Sequence, residues 1–116
     1  MQVVYEDNHI IIVSKAAGEI VQGDSTGDRP LSEDVKAYVK EAYAKPGAVF
    51  LGVVHRLDRP AMGLVIFART SKALSRLNEM FRDKDRIHKT YWAVVSNRPP
   101  KDADHLEQYL VRNPKN

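Results

Sequence analysis

The sequence contains no cysteine and no apolar run approaching the roughly 18 residues that a membrane-spanning helix requires. The missing cysteines exclude disulfides, thiolate chemistry and cysteine-based metal sites. Residues 1–7 are neither basic nor followed by a long apolar region, so no signal peptide is visible. We therefore expect a cytoplasmic protein with no membrane partner.

The composition is that of an ordinary globular protein. Hydrophobic residues make up 43% and charged residues 28% of the 116 positions, which is typical of one folded domain spanning residues 1–116. The net charge of +3 and the pI of about 9.2 are compatible with a phosphate-rich partner. His9, His88 and His105 do not have the spacing of metal ligands, so we predict no metal site.

The apolar pattern predicts several short strands and two helices. Strands are predicted at residues 3–5, 10–13, 19–22, 49–54, 64–68, 91–95 and 106–111. A helix at about residues 31–43 could be capped by Ser32, and a second helix could be capped by Thr70 or Ser71. This order predicts an α+β fold with two helices and a mixed, largely antiparallel sheet.

Residues 55–60 read His-Arg-Leu-Asp-Arg-Pro and directly follow the predicted strand at 49–54. They place Asp58 between Arg56 and Arg59. A carboxylate exposed at a strand end beside arginines can act as a nucleophile or a base next to a polyanion, which indicates chemistry on nucleic acid. From the charges alone, the alternative is a loop ion pair of Asp58 with Arg56 or Arg59, which is common and contributes little to stability.

The full string at residues 55–64 resembles the signature of the RluA family of RNA pseudouridine synthases. That signature reads His-Arg-Leu-Asp, a variable pair, and usually Thr-Ser-Gly-Leu; here Ala61 and Met62 replace the Thr-Ser pair, so two hydroxyls are missing. Further landmarks are similar in order and spacing at residues 5–9, 15–18, 68–73 and 89–93. At residues 15–18, Lys-Ala-Ala-Gly stands for the family's Lys-Pro-Ala-Gly. At residues 89–93, Lys-Thr-Tyr-Trp-Ala matches Lys-x-Tyr-x-Ala. The resemblance covers roughly residues 2–95.

The resemblance implies isomerisation of uridine to pseudouridine in ribosomal or transfer RNA. This reaction oxidises nothing and releases no group from the RNA, so we expect neither a cofactor nor a metal. Asp58 would be the catalytic carboxylate, either attacking C1′ or removing a proton from C2′; the sequence leaves both mechanisms open. Tyr91 would pack on the uracil and is a candidate for the late proton transfer. Its alternative is an ordinary strand tyrosine.

The resemblance also implies RNA contacts. Arg56 would enter the space of the extruded base, since an enzyme acting on a stacked nucleotide must take it out of the stack. Arg59 and Lys89 could bind phosphates, although Arg59 could equally pair with nearby carboxylates and Lys89 could be a solvated strand lysine. His55 could contact a phosphate, but we favour the interpretation that it braces the loop backbone.

Family members continue past the Lys-x-Tyr strand into a second half that carries a Gly-Arg-x-His-Gln-Ile-Arg-like stretch. Nothing similar occurs in this sequence, which therefore resembles the N-terminal half of a catalytic domain. One alternative function is a catalytically inactive RNA-binding fragment. Another is a structural fragment that buries an open sheet edge in a dimer.

Overall fold

The computed structural model describes residues 1–114 as a four-stranded antiparallel sheet with one helix against each face. In chain order the elements are β1 (Gln2–Glu6), β2 (Ile10–Lys15), α1 (Leu31–Ala42), β3 (Gly52–Val53), β4 (Gly63–Ala68) and α2 (Ser71–Arg82). The strand order is β1-β2-β4-β3, with every neighbouring pair antiparallel. The predicted α+β fold is confirmed. The predicted domain end at residue 116 lies outside the described residues.

The face of the sheet under α1 holds the larger core. Alternate residues of β2 and β4 point to this face, and they bury Ile11, Val13, Val65 and Phe67 completely. From α1, the apolar stripe of Leu31, Val35 and Val39 packs on them. Lys15 occupies the next position in the same alternation and is also fully buried, so a charged side chain lies at the margin of this core.

The opposite face is covered by α2. Ala68, Ala73 and Leu77 form a smaller buried cluster against Ile10 and Ile66, which are partly buried. The Thr70 hydroxyl accepts a bond from the Ala73 amide at 3.0 Å, which confirms Thr70 as the cap of this helix. The helix approaches β3 closely, because a Cβ added at Gly52 would lie 2.8 Å from Leu74 Cδ1.

Two predictions are wrong at the start of α1: the cap at Ser32 and the strand at residues 19–22. The N-cap is Pro30, without a side-chain cap, and Ser32 lies inside the helix. The Leu31 and Ser32 amides instead donate to the carbonyls of Ile20 and Val21, at 2.8 and 3.1 Å. The segment at 19–22 therefore supplies backbone acceptors to the helix end and forms no strand, which the apolar pattern alone did not indicate.

Two further predictions, both of strands, are wrong in the segment after α2. Within residues 1–114 no strand follows α2, so the strands predicted at 91–95 and 106–111 are absent. Tyr91 is 64% exposed and Trp92 is 95% exposed. A strand requires a hydrogen-bonded neighbour, and this segment has none in the described structure. The strand predicted at 49–54 is limited to β3 for a similar reason, since only Gly52 and Val53 pair with β4. Neither helix in the described part of the chain is long and apolar enough to cross a membrane.

Candidate active site

The loop between β3 and β4 carries Asp58 at one end of the sheet. Asp58 is exposed, and its carbonyl accepts a bond from the Ala61 amide at 2.9 Å, which closes a tight turn. The loop is tied to the segment after β2, because the Gly18 amide donates to the Arg59 carbonyl at 2.7 Å. Its backbone is thus held from two sides while the Asp58 carboxylate faces solvent.

Lys15 provides the main support of this loop. Its ammonium group donates to the carbonyls of Asp58, Arg59 and Ala61 at 3.2, 3.1 and 2.5 Å, and to the carbonyl of Ala16 at 3.1 Å. An ammonium has only three donors, so the four oxygens share them. The carbonyls converge on one buried cation, and the loop conformation depends on that cation.

Burial disfavours the protonated form of Lys15. Desolvation lowers the pKa of Lys15, the Glu19 carboxylate acts against this shift, Arg59 adds to it, and Asp58 opposes it. The sequence identified Lys15 only as part of a family landmark and gave it no function. Its place after Ile11 and Val13 on the buried face of β2 was the signal that could have marked it as a core lysine.

Arg59 contacts acids other than Asp58. Its guanidinium lies 3.0 Å from Asp28 and 3.6 Å from Asp24, and it donates to the Gly18 carbonyl at 3.2 Å. Among residues 1–114 no salt bridge joins Asp58 to Arg56 or Arg59, so the ion-pair interpretation of Asp58 is wrong for both arginines. Arg56 is exposed and likewise forms no ion pair in the described structure.

His55 connects the loop to β4 and α2. Its Nε2 accepts a bond from the Ile66 amide at 3.0 Å, and its ring stacks on Phe81 with centroids 4.9 Å apart. An accepting Nε2 places the proton of the neutral ring on Nδ1, which is buried and has no partner among the described residues. Burial lowers the pKa of His55, and Lys89 lowers it further. The geometry agrees with the bracing interpretation.

The structure does not bring Lys89 and Tyr91 together on a strand face. The Lys89 ammonium lies 5.9 Å from the centroid of the Phe81 ring, the same ring on which His55 stacks. Tyr91 is exposed, and among residues 1–114 no hydrogen bond or ring contact joins it to the Asp58 loop. Within the same range no cluster of three or more potential metal ligands occurs.

The sequence is similar to those of known proteins. The model of the RNA pseudouridylate synthase family matches residues 9–116. Ribosomal large subunit pseudouridine synthase C of Escherichia coli strain K12 is 32% identical over 111 residues, covering 96% of this chain and 33% of that protein. The mitochondrial pseudouridylate synthase RPUSD4 of Xenopus tropicalis is 35% identical over 101 residues, covering 84% of this chain and 30% of that protein.

A solved structure agrees at the level of fold. Human RNA pseudouridylate synthase domain containing 4 superposes with a TM-score of 0.61 at 19% identity, covering 72% of this chain and 30% of that one. The chain spans about a third of the length of the curated relatives it matches. The family match and the identity over nearly the whole chain lead to one conclusion: this chain belongs to the RluA family of RNA pseudouridine synthases.

Proposed function

We propose that this chain carries the catalytic carboxylate of an enzyme that isomerises uridine to pseudouridine in ribosomal or transfer RNA, and that this carboxylate is Asp58. The observation that carries the proposal is that the loop fixes the backbone of Asp58 but leaves its carboxylate exposed. The Asp58 backbone is fixed through Lys15, while its side chain is exposed and free of the neighbouring arginines. A reactive group held in this way is oriented before the substrate arrives, which lowers the entropic part of the barrier.

The reaction requires one group that can act at the sugar. The N1–C1′ bond breaks, the uracil turns, and C5 bonds to C1′, so the product has the composition of the substrate. Asp58 either attacks C1′ or removes the C2′ proton. A second group must then take the proton from C5 while N1 gains one, and Tyr91 is the proposed group, passing on its hydroxyl proton as it accepts the proton from C5. That role requires Tyr91 to move to the Asp58 loop from its exposed position.

The RNA contacts follow from the cations around the loop. Arg56 is exposed beside Asp58 and is proposed to take the place of the extruded base. Arg59 can bind a phosphate by exchanging its partners Asp24 and Asp28, which are themselves exposed. Lys89 is exposed near Phe81 and can bind a neighbouring phosphate. His55 then acts through the loop backbone and not through the RNA.

Release of tritium from RNA labelled at uridine C5 tests the proposal. The unsubstituted chain is expected to release tritium, and Asp58→Asn to abolish the release. Asp102→Asn is the matched control, because Asp102 is also exposed and lies far along the sequence from the loop. Measurable tritium release from Asp58→Asn, equal to that from Asp102→Asn, would contradict the assignment of Asp58.

A second candidate is a catalytically inactive RNA-binding fragment. The exposed position of Tyr91, without contact to the Asp58 loop, favours it. RNA affinity that falls with salt, measured by filter binding, together with no tritium release from the unsubstituted chain would select this candidate. A dimer formed through the open sheet edge would appear in sedimentation as a doubled mass.

A further inference from the structure

A groove lies at the end of the sheet opposite to Asp58. It has a volume of about 300 Å³ and is bounded by the last turn of α1, the connection that follows it, and Arg69. Arg69 follows the last residue of β4, whereas the Asp58 loop precedes the first. Six residue steps of extended chain separate these ends by roughly 20 Å. The groove is therefore distinct from the candidate active site.

The Arg69 side chain is held in place but has no counter-ion in the part of the chain that the structure describes. Its guanidinium donates to the Asp7 carbonyl and lies 4.0 Å over the centroid of the Tyr43 ring. Its Nε is buried without a hydrogen-bond partner among the described residues. No carboxylate in residues 1–114 forms an ion pair with it; Glu6 instead accepts from the Tyr38 hydroxyl at 2.7 Å. A partly buried cation of this kind is stabilised by an anionic ligand.

The rest of the groove suits a nucleotide. Lys45 lines it as a second cation, and none of the described residues that line it is acidic. Phe50, a residue that is 46% exposed, also lines it. Two cations beside an accessible aromatic ring can hold a phosphate and stack a base, which is the usual combination in proteins that bind single-stranded nucleic acid.

From this geometry we infer a second RNA contact, in which Arg69 and Lys45 bind a backbone phosphate and Phe50 stacks on the adjacent base. The inference rests on the proposed function, because it takes RNA as the polyanion. It adds a second site on the protein, distant from the reacting uridine, at which the RNA strand is bound. Such a contact raises the affinity for RNA without touching the chemistry at Asp58.

Filter binding of a single-stranded oligouridylate, titrated against salt, tests the site. Lys45→Gln is the main variant, because the exposed Lys45 side chain forms no ion pair within residues 1–114 and we expect the fold to tolerate its replacement. Each lost phosphate contact to a single strand reduces the salt slope by about 0.7. We expect that reduction and a several-fold loss of affinity in Lys45→Gln. Arg98→Gln removes the same charge from an exposed site and serves as the control.

Further variants separate the possible outcomes. Phe50→Leu is expected to lower affinity while leaving the salt slope unchanged, since it removes stacking and no charge. A loss in Lys45→Gln without any loss in Phe50→Leu would indicate a simple anion site and overturn the nucleotide assignment. If Lys45→Gln had the same RNA affinity and the same salt slope as Arg98→Gln, the groove would not be an RNA-binding site. Tritium release is scored separately, so failure of the catalytic proposal is distinguishable from failure of this one.

Discussion

Replacing Lys15 by methionine tests the support of the Asp58 loop. Methionine retains most of the aliphatic length and removes the ammonium that four carbonyls share. Two effects oppose each other. Removing a buried charge relieves its desolvation, which is the cause of the lowered pKa of Lys15. In turn, the carbonyls of Asp58, Arg59 and Ala61 would lose the ammonium donor, and those of Asp58 and Arg59 would keep only their bonds from the Ala61 and Gly18 amides.

The second effect should dominate. A hydrogen bond to a charged group contributes roughly 1.5–3 kcal/mol, and three of the four carbonyls belong to one turn that has few other anchors. After subtracting the relieved desolvation, we expect Lys15→Met to lower the free energy of unfolding by about 2–4 kcal/mol. The loop should also lose order, so the Ala61 amide, which donates to the Asp58 carbonyl, should exchange with solvent faster.

Urea unfolding followed by circular dichroism measures the first effect, and amide hydrogen exchange measures the second. Lys36→Met is the matched control, because in residues 1–114 the Lys36 ammonium pairs only with Glu33, at 3.3 Å and exposed to solvent. Such a pair contributes under about 1 kcal/mol. If Lys15→Met were no more destabilising than Lys36→Met, and the Ala61 amide remained protected, the loop would not depend on the buried ammonium.

Two further predictions concern the elements around the loop. Burial lowers the pKa of His55 in the folded chain below 6.5, the ordinary value for histidine. The unfolded chain therefore binds a proton at His55 more readily than the folded chain does. The contribution of neutral His55 to stability is present above pH 6.5 and is lost as the pH falls below that value. Urea unfolding at several pH values should show this loss in the unsubstituted chain and in His88→Asn, whose histidine is exposed, but much less of it in His55→Asn. Thr70→Ala should lower the free energy of unfolding by about 1 kcal/mol through loss of the cap to the Ala73 amide. Ser71→Ala, at an exposed neighbouring position without such a bond, should change it little, and equal effects in the two variants would refute the capping role.

The sheet and both helices were predictable because burial follows periodicity. Ile11 and Val13 alternate with partly exposed neighbours, and Leu31, Val35 and Val39 recur at helical spacing, so local sequence determines which side faces the core. The errors arise where structure depends on a distant partner. The segment at 91–95 has the composition of a strand, but no strand pairs with it in the described structure.

The sequence predicted which residues belong to the candidate site better than it predicted which residues they contact. The motif around Asp58 identified the family, which the comparisons confirm. The sequence could not show that Arg59 contacts Asp24 and Asp28, because they lie more than 30 positions away and carry the same side chain as the nearby Asp58. Nor could it show that the ammonium of Lys15 supports the loop, because that contact spans 43 positions of the chain.

Tritium release by Asp58→Asn tests the central claim most directly. The side chain is exposed and forms no ion pair with any residue in 1–114, so this variant should match the unsubstituted chain in urea unfolding to within about 0.5 kcal/mol. It should nevertheless release no tritium from RNA labelled at uridine C5, under conditions in which Asp102→Asn releases it normally. Release from a correctly folded Asp58→Asn variant would contradict the assignment of Asp58 as the catalytic carboxylate.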